Sequence, residues 1–179
     1  MTDTYQQATE NLIQSFGVLT ESAGFSRMTG QIYALLYLSP TQLSLGEIAE
    51  KLGSSKGNIS LNTTSMEHWG MIKRFNRPAD RHDYYEADTD FWKVIRSILR
   101  NREKKLINDF KNSLSDSLKD LKKCNGDEES KFYVARLQHM QDFTNTFMRM
   151  LNAYLAMEKF NPGKLAAIGF ARNGEEYED

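Results

Sequence analysis

The sequence predicts a mainly α-helical protein, α with a small β-wing, and three observations carry that prediction. Apolar residues recur at steps of three and four along most of the 179 residues. Residues 44–70 hold two short helical patterns joined at a glycine. Residues 71–87 then switch to β-branched and aromatic residues on either side of a polar, Pro-containing run. A helix-turn-helix followed by a hairpin is a winged helix-turn-helix, here set between long N- and C-terminal helices.

Taken in order, Tyr5, Ala8, Leu12, Ile13, Phe16 and Leu19 predict an amphipathic helix over about 3–22, broken at Gly24. A second helix near Thr29 to Leu38 is almost continuously apolar, hence buried, and stops at Ser39-Pro40. Ser44-Leu45-Gly46-Glu47 has the spacing of a capping box, and Ile48, Ala49 and Leu52 follow at helical spacing. Gly53 suits a tight turn, Ser54 or Ser55 caps the next helix, and Gly70 supplies a left-handed stop after Trp69. The hairpin pairs Met71-Ile72-Lys73-Arg74-Phe75 with Tyr84-Tyr85-Glu86-Ala87. Thr89 is the expected cap of a single helix reaching Leu121, a rod of roughly 50 Å at about 1.5 Å per residue. A last helix over 129–160 ends at Asn161-Pro162-Gly163, and a polar acidic tail follows. The expected organisation is a dimerisation helix (1–24), a winged DNA-binding domain (25–88), C-terminal dimerisation helices (89–160) and a tail (161–179).

The helix opening at Ser54-Ser55 divides into two faces. Ile59, Thr63, Met66 and Gly70 share one and suit packing. Gly57, Ser60, Leu61, Thr64 and Ser65 lie roughly opposite, and small residues there let a helix approach the floor of a DNA groove. Leu61 is the large apolar exception, a fit for a thymine methyl. The free amides of the helix start, with Ser54, Ser55 and Lys56, suit a phosphate. Lys73, Arg74, Arg77 and Arg81 make the hairpin basic, and an arginine at the tip of such a wing can enter the minor groove. The expected DNA contacts are therefore Ser54, Ser55, Lys56, Gly57, Ser60, Leu61, Thr64, Lys73, Arg77 and Arg81.

The run from Leu45 to Ala87 resembles the winged-helix domain of MarR-type regulators. Ser55-Lys56-Gly57-Asn58-Ile59-Ser60 and Trp69-Gly70-Met71-Ile72 are most similar to the GbsR-like branch, Asp80-Arg81 looks like the family's wing signature, and Asp83-Tyr84-Tyr85-Glu86 like the branch's outgoing strand. Thr64 stands where the branch often carries a basic residue. The resemblance implies a repressor acting as a homodimer on double-stranded DNA. It also implies a small-molecule effector related to choline or osmoprotectants, since aromatic faces bind quaternary ammonium groups. The aromatic and methionine residues of 129–160 are expected to form dimer core rather than an effector pocket.

Net charge is −1, which looks wrong for a DNA binder until it is partitioned. Residues 1–44 carry one basic and three acidic side chains, residues 45–105 twelve and nine, and residues 106–179 ten and twelve. The surplus of +3 lies where DNA contact is expected, and its small size calls for a dimer that doubles the phosphate contacts. No membrane anchor or signal peptide is expected, and one cysteine, Cys124, fits a reducing cytoplasm. His68, His82 and His139 are scattered, and no nucleotide-binding or hydrolase motif is present, so neither metal, cofactor nor catalytic residue is expected. The alternative function is a winged-helix protein-interaction module without DNA binding.

Overall fold

Side-chain caps set where most of the described helices begin. The computed structural model describes residues 2–78, 80–123 and 126–157, which form two compact units, Met1–Glu103 and Lys104–Asp179. In the first unit α1 (Thr2–Ser22) and α2 (Arg27–Leu38) precede β1 (Leu43–Ser44), α3 (Leu45–Lys51) and α4 (Lys56–His68). The wing strands β2 (Ile72–Asn76) and β3 (Asp83–Ala87) and then α5 (Phe91–Ile98) follow, with a π-helical turn at Leu99–Glu103. Ser26, Ser44, Ser55 and Asp90 each accept a backbone N–H three residues on, and Ser44 and Glu47 complete the expected capping box. Gly53 and Gly70 close α3 and α4 at φ of +60° and +73°, where other residues are strained.

The core of this unit gathers around Ile32, Ile48, Ile59 and Met66, all fully buried, where α2, α3 and α4 meet. The sheet, in order β1-β3-β2 and antiparallel throughout, closes one side through Leu43, Ile72, Tyr85 and Ala87. The α1–α2 crossing depends on glycine. A Cβ on Gly30 would collide with Thr20 Oγ1 and lie 2.6 Å from the Phe16 carbonyl oxygen and 2.9 Å from the Gly17 Cα. The second unit is a pair of helices, α6 (Lys104–Leu121) and α7 (Glu128–Ala156). Leu114 and Leu118 of α6, with Met148, Leu151 and Leu155 of α7, are its buried apolar residues.

The mainly α architecture with a β-wing is as expected from the sequence. Four details differ. The wing sheet has a third strand, β1, two residues long and too short to leave a period-2 signal. The second helix starts at Arg27, because Ser26 caps it and Thr29 is buried. Asp90 rather than Thr89 caps α5, its carboxylate taking the Lys93 amide at 3.0 Å. The single rod expected over 89–121 is divided: α5 gives way to the π-helical turn before α6 begins. Helix α7 is described to Ala156, while Cys124, the stop at Asn161-Pro162-Gly163 and the tail over 161–179 lie outside the described residues.

The glycine crossing makes a contrast that denaturation can measure. Gly30→Ala is expected to cost about 2 kcal/mol or more in urea unfolding, since backbone atoms on both helices must give way. Gly57→Ala, with nothing within 4 Å of the added methyl, is expected to leave stability unchanged or raise it by up to about 1 kcal/mol. Equal costs at the two positions would contradict the packing described.

Candidate nucleic-acid interface

Helix α4 is the centre of the site. Ile59, Thr63 and Met66 bury one face, and Thr63 returns its hydroxyl to the Ile59 carbonyl at 3.0 Å. With that face packed, the opposite one must look outward. Gly57, Leu61 and Thr64 are exposed there, Leu61 to 74%, while Ser60 and Ser65 are half-buried. Thr64 donates to the Ser60 carbonyl at 2.8 Å and Ser65 to that of Leu61 at 3.3 Å. Their hydroxyl hydrogens are thus engaged by their own helix, and what they present outward is acceptor oxygen.

At the start of α4, Ser55 accepts the Asn58 amide at 3.2 Å and Ser54 Oγ accepts from Asn58 Nδ2 at 3.1 Å. Lys56 is exposed and shares an open groove of about 680 Å³ with Ser54, Gly46, Glu47 and Glu50. Among the described residues it has no carboxylate within ion-pair distance.

Two asparagines were not singled out in the sequence. Asn62 Oδ1 accepts from Ser26 Oγ at 2.5 Å and Thr29 Oγ1 at 3.0 Å, and its Nδ2 donates to the Asn58 carbonyl at 2.9 Å. It thereby ties the middle of α4 to the N-terminus of α2. Asn101 Nδ2 donates to the His68 carbonyl at 3.2 Å, at the other end of α4. Asparagine inside a helix competes with the helix for backbone hydrogen bonds, and Asn58 with Asn62 four residues apart was the available sign that these side chains have partners.

The wing is more internally bound than its composition implies. Arg74 pairs with Asp83 at 2.7 Å, and Arg77 lies over the Tyr84 ring, 3.7 Å from its centroid. Asp80 accepts from Tyr84 Oη at 2.6 Å, from the His82 amide at 3.0 Å, and contacts His82 Nδ1 at 2.5 Å. These bonds, Tyr84 foremost, push its carboxyl down to about 2. Lys73 lies 3.6 Å from Asp88, which Lys93 also engages. Burial alone would raise the Asp88 carboxyl, but the Lys93 hydrogen bond, the Asp90 amide and Lys73 outweigh it and set it lower. Arg81 is exposed at the wing tip, with no ion-pair partner among the described residues. The structure therefore places Lys56 to Thr64 on one helix, with Ser54 and Ser55 at its start, and sets Lys73, Arg77 and Arg81 along the hairpin, with Lys56 and Arg81 the least engaged of these cations. No group of three potential metal ligands occurs among the described residues.

The Asp80 contacts make a pH-dependent prediction. Its pKa is depressed in the fold, so what it adds to wing order is fully present above its ordinary value near 3.8 and is lost as pH falls through about 2. An NMR titration of the carboxyl is expected to show a midpoint near 2 in the folded protein. Tyr84→Phe removes the largest cause and is expected to move the midpoint upward; an unmoved midpoint would rule out this hydrogen bond.

The fold built from these residues is that of a solved transcriptional regulator, with a TM-score of 0.67, 21% identity, and 85% of this chain and 98% of that chain covered. At that identity the likeness establishes the winged-helix fold. More remote superpositions include Staphylococcus aureus MepR in complex with DNA, at a TM-score of 0.38 and 16% identity over 79% of this chain and 96% of that one. No family model matches the chain. The HTH-type transcriptional repressor OpcR of Bacillus subtilis (strain 168) is 22% identical over 96 residues, 54% of this chain and 52% of the relative. The chain spans about half the length of the curated relative it matches. These similar proteins are transcription regulators.

Proposed function

We propose that this protein is a sequence-specific DNA-binding transcriptional regulator, a homodimeric repressor of MarR type and of its GbsR-like branch. The observation that carries the reading is the outward face of α4. A helix anchored by fully buried Ile59 and Met66 offers small residues and one apolar side chain to solvent, beside a wing with an arginine at its tip. In this reading Gly57, Ser60, Leu61 and Thr64 meet base edges, Leu61 by contact with a thymine methyl. Ser54, Ser55 and Lys56 hold a phosphate at the helix start, and Lys73, Arg77 and Arg81 follow the backbone and minor groove. The similarity to a transcriptional repressor supports it.

Dimerisation belongs to the same reading. On α7, Met140, Phe143, Phe147 and Met150 recur at steps of three and four and all keep four-tenths or more of their surface exposed, as do Tyr5, Leu12 and Leu19 on α1. Apolar surface on this scale calls for a partner, and a second copy supplies one, in an obligate interface above roughly 2,000 Å². Two recognition helices then lie about one DNA turn apart, roughly 34 Å, on a pseudo-palindrome. A cytoplasmic location accompanies this function. An effector, choline-related by the resemblance, would act by shifting the spacing of the two copies.

Selection of bound duplexes from a genomic DNA pool is expected to return a pseudo-palindromic site. Lys56→Ala is expected to weaken binding to all duplexes alike, with the slope of log affinity against log salt reduced by roughly 1.8, one phosphate contact being lost on each copy. Arg81→Ala is expected to act most where the flanks are A·T-rich. Unchanged affinity in both folded variants contradicts the assignment, and a wild-type protein without salt-dependent duplex binding is instead a protein-interaction module. Sedimentation of the wild type is expected to show a dimer at micromolar concentration, and Phe147→Asp to aggregate or unfold. A stable wild-type monomer that still binds DNA contradicts the dimer.

A further inference from the structure

Arg102 sits in the π-helical turn that follows α5, within a stretch rich in lysine and arginine. Its guanidinium faces inward, with only 20% of the side chain accessible. It lies 4.2 Å from the centroid of the Phe25 ring and 5.6 Å from that of Trp69, and those rings meet edge to face at 5.4 Å. One nitrogen donates to the Gly24 carbonyl at 2.7 Å, and another to Glu103. Phe25 and Gly24 form the corner between α1 and α2, and Trp69 is the C-cap of α4, just before its glycine stop. The residue before Arg102 holds the same end of the helix, Asn101 donating to the His68 carbonyl. At Gly70 the fit is close, since a Cβ there would come within 2.9 Å of Ser97 Cβ.

A π-helical turn is rare and places an extra residue in the ladder, which swings the following side chains round relative to an α-helix. Here the residues so turned are the two that grip the end of α4. We infer that Asn101 and Arg102 are positioning residues for DNA recognition. They set where the C-terminal end of α4 points, and so the register of its outward face on the bases, without touching DNA themselves. The inference rests on the reading of α4 as the recognition helix. Asn62 ties the middle of α4 to α2, so the π-helical turn supplies the second point that fixes its direction. An arginine suits the task because its planar fork stacks on a ring and donates at its edge together, which lysine does less well.

The test compares Arg102→Ala, Arg102→Lys and Asn101→Ala with the wild type, on the wild type's selected duplex and on an unrelated one, across salt concentrations. Arg102→Ala is expected to lose roughly tenfold or more on the selected site, a misplacement effect on base readout, and less than about twofold on the unrelated duplex. The salt slope is expected to stay the same, because a cation that contacts no phosphate releases no counterion. Arg102→Lys is expected to recover part of the loss, and Asn101→Ala to show a smaller loss of the same kind. If Arg102→Ala does not fold, Asn101→Ala alone decides, since it removes one hydrogen bond at the edge of the site. An equal loss on both duplexes with a slope reduced by roughly 1.8, one contact on each copy, makes Arg102 a phosphate contact and overturns the inference. No loss on either duplex overturns it as well. A wild type that binds no duplex removes the DNA-binding reading, a result separate from any effect of the variants.

Discussion

The packing of one face of α4 is the constraint on which the site depends. Each of Ile59 and Met66 contributes on the order of 1.5–3 kcal/mol by leaving water, more than the roughly 1 kcal/mol of a helix cap. Burial therefore decides how the helix is rotated about its axis, and caps decide only where it begins and ends. Once Ile59, Thr63 and Met66 face the core, Gly57, Leu61 and Thr64 face outward without further choice. A one-residue insertion within α4 would rotate that outward face by about 100° and undo the arrangement.

Charge plays a different part from the one its distribution suggests. Most of the cations between residues 73 and 102 that look available in the sequence have partners: Arg74 with Asp83, Arg77 on Tyr84, Lys73 and Lys93 on Asp88, and Arg102 in its aromatic clasp. These contacts shape the wing and hold the end of α4. In the proposed DNA-binding reading, nonspecific attraction to DNA falls to a few groups, Lys56 and Arg81 foremost. In that reading, binding would depend on shape and on two copies rather than on a large positive field.

Much of the fold was legible because the cues are local. The capping box at Ser44, the glycines at 53 and 70 and the β-branched and aromatic strands each act within a few residues. The faces of α4 followed from the helical period alone. What was not legible depends on distant partners. Strand β1 exists because Leu43 and Ser44 lie beside Tyr85 and Tyr84, a pairing across about forty residues. The π-helical turn falls where Arg102 meets Phe25 and Trp69, and nothing local in Leu99–Glu103 announces it. Asn62 likewise reads as a surface residue until Ser26 and Thr29 are placed against it.

The central claim is that the outward face of α4 meets the bases of duplex DNA. Site-specific photo-crosslinking tests it most directly, with a reactive group at Leu61 or Thr64 in the full-length protein and the selected duplex as target. The account predicts crosslinks from both positions to bases inside the selected site, and none from a control group at exposed Arg136 on α7. Crosslinks from Arg136 but not from Leu61 or Thr64 would contradict it.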